Sequence, residues 1–344
     1  MAYKIGDSIV VGNDSSSHLQ TDIVAYKYKT VLAYGYVAGG YKGSEAWKDV
    51  GKTTNATDQT VHLGALLAGA SAYNSAASNL YTMFVFGTHG DDDRGWESGT
   101  VDLGAGSIDV GWGVAGHFVE GINMINESLR THTTNWDMAD IRNNMGISFL
   151  EHYFCWIYGG RASTTILKFD LTNEAMLSAT YTLPWLPVVD SNRYTISSMN
   201  DQYQSYIYAD SESTKYNMAS ETFTTAAAQW GPHGQQMAIN SKDHRGWCGN
   251  EGSYAGGYNY REWNLITDSL VSTFAKVTPG PSGPGEENYT MGQDHCYMLG
   301  NHDGNQNNNS VRFTYATNTQ VANPVGLAPS WQGGMSSAAC GWRA

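Results

Sequence analysis

An aromatic, apolar run that ends in glycine or another turn residue keeps returning along this chain, and that return constrains the fold more than any other feature. It reads Val31-Leu-Ala-Tyr-Gly-Tyr-Val-Ala-Gly-Gly40, Tyr81-Thr-Met-Phe-Val-Phe-Gly87, Tyr153-Phe-Cys-Trp-Ile-Tyr-Gly-Gly160 and Ser205-Tyr-Ile-Tyr-Ala-Asp210. It continues as Arg245-Gly-Trp-Cys-Gly-Asn250, Cys296-Tyr-Met-Leu-Gly-Asn301 and Ala339-Cys-Gly-Trp-Arg-Ala344. The intervals between run ends lie between 40 and 51 residues, except for the 73 from Gly87 to Gly160. Such a period belongs to propeller blades, whereas helical solenoids of similar period need amphipathic helices that are mostly missing here.

Further strand-like segments flank the runs, among them Tyr194–Met199, Gln236–Asn240 and Asn288–Gly292 before them and Ile166–Leu171 and Val311–Tyr315 after. Three or four strands per repeat fit a four-stranded blade. In the long interval Val114, Phe118, Ile122, Ile125 and Leu129 recur at helical spacing, which predicts one amphipathic helix inserted near 114–130. The expected fold is all-β: a β-propeller of six or seven blades over residues 31–344 with that single helical insertion. Residues 1–30 are read as an amino-terminal arm, whose strands around Ile9–Val11 or Ile23–Tyr26 complete the last repeat and hide its edge. The Pro/Gly stretch Thr278–Gly285 is read as an inter-blade loop.

Composition narrows the function classes. Charged residues make up 15% of the chain, below the roughly 25% of ordinary domains, and Gly 39 with Tyr 22 suits short strands and tight turns. The net charge of −13 repels phosphate backbones and sets nucleic acid aside as a partner. The amino terminus has no apolar core of signal-peptide length, and no window reaches the roughly 18 apolar residues of a membrane span, so no membrane insertion is expected. Cys155, Cys248, Cys296 and Cys340 stand far apart in apolar contexts and read as buried free thiols rather than metal ligands or disulfides.

Two sets of residues resemble known families. Gly39-Gly40-Tyr41 followed by Trp47, and Gly256-Gly257-Tyr258 followed by Trp263, resemble the kelch blade, in which a double glycine ends a strand and spaced Tyr and Trp pack between blades. Tyr3-Lys-Ile-Gly-Asp-Ser-Ile-Val-Val11 is similar to the short strand motif that begins many phage tail-fibre and baseplate proteins. Ala38–Thr53, continuing to Thr57-Asp58 and Leu63-Gly64, is similar to virion structural proteins of marine cyanobacterial phages. The resemblance implies a place in a tail, fibre, baseplate or neck, without catalysis, for a protein made in the host cytoplasm and resident in the virion. Its implied partners are other virion proteins, with host surface glycan as an alternative.

Candidate binding residues follow the runs. His89, Asp91 and Asp92 form one polar loop, His302, Asp303 and Asn305 another, and Tyr41, Trp47 and Tyr258 lie in loops equivalent to them. Emerging from one rim of a rigid scaffold, they would suit a protein neighbour or a carbohydrate, although such Asp/Asn/Gly clusters are first of all turn formers and Tyr and Trp first of all core. Clustered carboxylates can also hold calcium, yet 89–94 lacks the rest of the calcium-loop pattern, so no metal is assigned. His152, His244 and His295 lie at similar places near the runs and are read as structural. Gly6-Asp7-Ser8 resembles an esterase nucleophile block but has almost no preceding strand to hold it, and no Gly-x-Ser-x-Gly, Walker loop or His-Glu-x-x-His occurs. No catalytic residue and no cofactor is therefore assigned. The expected role is a structural or adsorption component acting through protein–protein contacts, with a glycan-binding receptor-recognition module second and a glycan-active propeller enzyme third.

Overall fold

The computed structural model describes residues 2–5, 8–11, 34–39, 41–42, 45–46, 48–54, 57–67, 75–79, 81–88, 100–102, 107–109, 116–130, 137–142, 146–150, 153–159, 164–184, 197–201, 204–209, 212–225, 237–240, 244–250, 259–275, 288–291, 295–299, 310–322 and 338–341. Every regular element among them is a strand.

Six antiparallel sheets carry the fold, and III to VI are simple meanders. Sheet I places Ala338–Gly341 beside Tyr34–Ala38, then Asp49–Thr54 and Gln59–Ala65. Sheet II runs Ser75–Ser78, Thr82–Thr88, Gly116–Asn123 and Ser128–Arg130, with Asp137–Arg142 also paired to the third strand. Sheet III runs Gly146–Leu150, Phe154–Tyr158, Thr165–Asp170 and Ala175–Thr182. Sheet IV has Ser197–Asp201, Gln204–Ala209, Glu212–Asn217 and Thr222–Thr225. Sheet V has Met237–Asn240, Arg245–Asn250, Asn259–Asn264 and Ser269–Ala275; sheet VI has Asn288–Met291, His295–Leu299, Ser310–Thr314 and Thr319–Ala322.

Six of the seven aromatic runs become the second strands of the six sheets, and the seventh supplies the first strand of sheet I, where Val37 stands opposite Ala338. The sheet completed by distant segments is thus the one containing Tyr34–Ala38. Ile9–Val11, expected to complete the last repeat, instead pairs with Ala2–Ile5 in a separate hairpin, and 23–26 lies outside the described residues. First strands approach one another from I to II, II to III, and so on to VI, and the first strand of VI approaches that of I.

The predicted helix is absent. Gly116–Asn123 is a strand paired with Thr82–Thr88, residues 124–127 form a turn, and Ser128–Arg130 returns as a strand. The expected apolar stripe is split: Ile122 is fully buried while Ile125 is 51% exposed. Val114 lies outside the described residues. What lengthens this repeat is the 27-residue connection 89–115, which contains a small hairpin of Thr100–Asp102 with Ser107–Asp109.

Apolar side chains pack between neighbouring sheets. Tyr36, Ala38 and Val50 of sheet I meet Met83, Val85 and Ile122 of sheet II. Phe84, Phe86 and Val119 of II meet Cys155, Ile157 and Phe169 of III, and Trp156, Tyr158 and Ile166 of III meet Ile207 and Tyr216 of IV. Sheet II is buried on both faces, so its strands read as continuous apolar runs rather than as alternation. Burial also pushes the Cys155 thiol well above its ordinary pKa, consistent with an inert, buried free cysteine.

Outer strands leave backbone groups unpaired, which invites association with another chain. Among the described strands the long outer ones of I, III and V each break register with their neighbour, at Val50/Gly51, Ile166/Lys168 and Glu262/Trp263. Those of II, IV and VI span only three or four residues. Every long edge is bent by an irregularity, and every regular edge is short.

Candidate functional site

The connection from second to third strand leaves each sheet at the end opposite the turn between third and fourth strands, as antiparallel pairing requires. All the sequence-derived candidates fall in these second-to-third connections. Tyr41 lies in a two-residue strand opposite Ala46, within the 39–48 connection of sheet I. Trp47, His89, Asp91, Asp92, Tyr258, His302, Asp303 and Asn305 lie outside the described residues, in the connections of sheets I, II, V and VI. The left-handed φ of Gly39 (75°) and Gly159 (58°) explains why the runs of sheets I and III end in glycine. His244 sits in the turn before the second strand of sheet V, its carbonyl accepting from the Leu265 amide at 2.9 Å, and His295 begins that strand in VI; His152 is outside the described residues. Among the described residues no group of three His, Cys, Asp or Glu side chains could hold a metal ion.

The opposite end holds a second repeated motif, polar where the runs are aromatic. Third and fourth strands are joined by Asn123-Met-Ile-Asn-Glu127, Asp170-Leu-Thr-Asn-Glu174, Asn217-Met-Ala-Ser-Glu221, Asn264-Leu-Ile-Thr-Asp268 and Thr314-Tyr-Ala-Thr-Asn318, with Asp58 in the equivalent place in sheet I. From Glu127 to Asp268 these turns recur every 47 residues, a strict spacing visible in the sequence itself. The opening Asn or Asp accepts from two amides ahead of it, as Asp170 Oδ1 does from Thr172 and Asn173 at 2.9 and 2.8 Å. The apolar second residue is buried: Met124, Leu171, Met218, Leu265 and Tyr315 are all at most 5% exposed.

The fifth residue carries the chemistry. Asp58, Glu127, Glu174, Glu221, Asp268 and Asn318 all have φ between 53° and 56°, a left-handed backbone that costs a non-glycine residue about 1–2 kcal/mol. Glycine would suit the turn better, and the side chain is needed for what it reaches. Lys52 on sheet I bonds Glu127 on sheet II at 2.5 Å, and Lys168 on III bonds Glu221 on IV at 2.7 Å. Arg130 on II reaches Glu174 on III, Lys215 on IV reaches Asp268 on V, and Arg312 on VI reaches Asp58 on I. The cation stands on the third strand six positions before its own sheet's turn residue, except in sheet II. There Gly121 holds the place, and Arg130, directly opposite it on the fourth strand, fills the space.

Aromatic rings support these cations. The Lys168 ammonium lies 4.4 Å from the Phe154 ring centroid and 5.0 Å from that of Trp156, and Lys52 lies 4.2 Å from that of Tyr34. Burial alone would raise the Glu221 pKa, but hydrogen bonds from Lys168 and Tyr181 outweigh it and hold the carboxyl below its ordinary 4.5. A depressed folded-state pKa gives stability that is present above the unfolded value and lost as pH falls through the folded one. The gap in thermal midpoint between the native chain and Glu221→Gln is therefore expected to hold from pH 7 to 5 and to close below 4.5, followed by circular dichroism; a gap unchanged at pH 3 would refute the assignment.

Between sheets V and VI the pattern inverts. Glu262 takes the cation's place and Asn318 the acid's: the amide donates to Glu262 Oε2 at 2.9 Å and accepts from the Trp247 indole at 3.1 Å. Ser272 donates to the same oxygen of Glu262 at 2.7 Å, and Arg245 Nη1 lies 3.1 Å from the other.

No known protein family matches this chain, and no curated protein matches it either.

Proposed function

We infer that the six sheets close into a six-bladed, kelch-like β-propeller serving as a structural or adsorption component of a phage particle. The observation that carries this reading is the cyclic neighbour order of the sheets. First strands follow one another around and back from VI to I, and the ties between third strands and turns follow the same cycle, ending in Arg312 to Asp58. Such a ring is a rigid scaffold, and the loops it displays are where recognition is expected. Its longest second-to-third connections, 89–115, 39–48 and 300–309, belong to sheets II, I and VI, which are consecutive in the cycle. The resemblance of Tyr3–Val11 and Ala38–Thr53 to phage virion proteins supplies the particle, and other virion proteins the partners.

Quantitative mass spectrometry of density-purified particles from the source genome tests this. A fixed ratio to the major capsid protein is expected, and absence from the particle would overturn the reading. Replacing 302–305 by a Gly-Ser turn is expected to leave the thermal midpoint within about 2 °C while lowering the copy number in particles. Unchanged incorporation with impaired adsorption would point instead to recognition of a host surface glycan.

A further inference from the structure

Six similar sheets in one chain raise a specificity problem. Each presents the same kind of third strand and the same kind of turn, so any turn could dock on any neighbour, within the chain or between chains. We propose that the inverted pair Glu262–Asn318 is an address that assigns sheet VI, and no other sheet, to the place beside sheet V.

Chemistry penalises both kinds of error. Glu262 is 8% exposed and already accepts from Ser272 and Asn318. A turn bearing Asp58, Glu127, Glu174, Glu221 or Asp268 in place of Asn318 would bring a second carboxylate that cannot donate to the first, two like charges at a water-poor junction. Asn318 answers because its amide donates to Glu262 and accepts from Trp247 at once. Conversely, the Asn318 turn placed beside sheet I, III or IV would leave Lys52, Lys168 or Lys215 without its carboxylate. Arg245 completes the exchange: it stands opposite Asn264 at the start of the second strand of V, where Gln204 stands opposite Asn217 in sheet IV, and it supplies the positive charge that the third strand lacks. Two departures from the repeat, 56 residues apart, thus compensate each other across one junction.

The test rebuilds this junction with the residues the chain uses between IV and V. Asn318→Asp alone is expected to lower the thermal midpoint of the full chain by about 4 °C or more, since it sets the new carboxylate against Glu262. The triple variant Arg245→Gln, Glu262→Lys, Asn318→Asp regains an ordinary cation–acid tie and is expected to melt within about 2 °C of the native chain. On refolding from urea, followed by size-exclusion chromatography with light scattering, the native chain is expected to return as one species. The triple variant, stable but without its address, is expected to divide among monomer and exchanged oligomers, with monomer yield reduced at least about twofold. A triple variant that refolds with the native profile overturns the proposal, as does an Asn318→Asp chain with an unchanged midpoint. A triple variant that melts as low as Asn318→Asp overturns it too, because the junction then does not work by the exchange described.

Discussion

Replacing Phe169 by alanine is expected to cost about 3–5 kcal/mol, the largest loss for any single truncation considered, read as a lowered urea midpoint at unchanged slope. Phe169 is fully buried, and its ring meets Phe84 at 5.0 Å and Phe86 at 5.4 Å across the junction between sheets II and III. Backbone fixes both walls of that space: Phe169 is paired with Cys155 and Met176 within sheet III, and Phe84 with Ala77 and Gly121 within sheet II. Neither strand can move in to fill the cavity without breaking its own ladder, so the full cavity cost is expected rather than a relaxed one. A loss below about 1 kcal/mol would mean the two sheets do not pack face to face.

Charge reversal at Lys168 is the second large effect. Lys168→Glu would set two carboxylates together beside Tyr181, where the native ammonium and Glu221 are 24% and 21% exposed. That burial lies between exposed pairs, worth at most about 1 kcal/mol, and buried ones, whose disruption costs 3–5, so about 2 kcal/mol is expected. The swapped chain Lys168→Glu, Glu221→Lys should recover at least half of this in a double-mutant cycle by thermal denaturation. Simple additivity would show that the tie holds nothing across the junction.

Much of the sheet framework could be read in the sequence, and for a physical reason. The second strands of sheets I to IV are packed on both faces, so they concentrate the aromatic and apolar residues, and runs such as Tyr153–Gly160 stand out from polar surroundings. The same two-sided burial produced the error at 114–130. Val119 faces sheet III and Ile122 faces sheet I, so no period of two survived. The turn at 124–127 then spaced Ile125 and Leu129 as a helix would. The ties leave no mark on hydrophobic periodicity, which is blind to a polar residue whose partner lies on the next sheet. Glu127, Glu174, Glu221 and Asp268 look like ordinary solvated turn residues until their 47-residue spacing and their matching cations are set side by side. Of the candidate loop residues only Tyr41 lies among the described residues.

Sheet I has a consequence for the time course of folding. Sheets III to VI each form from 29 to 39 consecutive residues, so each can assemble soon after its own segment leaves the ribosome. Sheet I cannot, because Val37 waits for Ala338, about 300 residues later. Until then Tyr34–Ala38 has an open side, and bringing the two segments together costs about 1.6 kcal/mol more chain entropy than closing a 47-residue repeat. Synthesis therefore passes through a long-lived species with one unfinished sheet and a free seam. Ala338–Gly341 acts as a latch, so a chain stalled before Ala338 would present that seam to chaperones, proteases and other copies of itself.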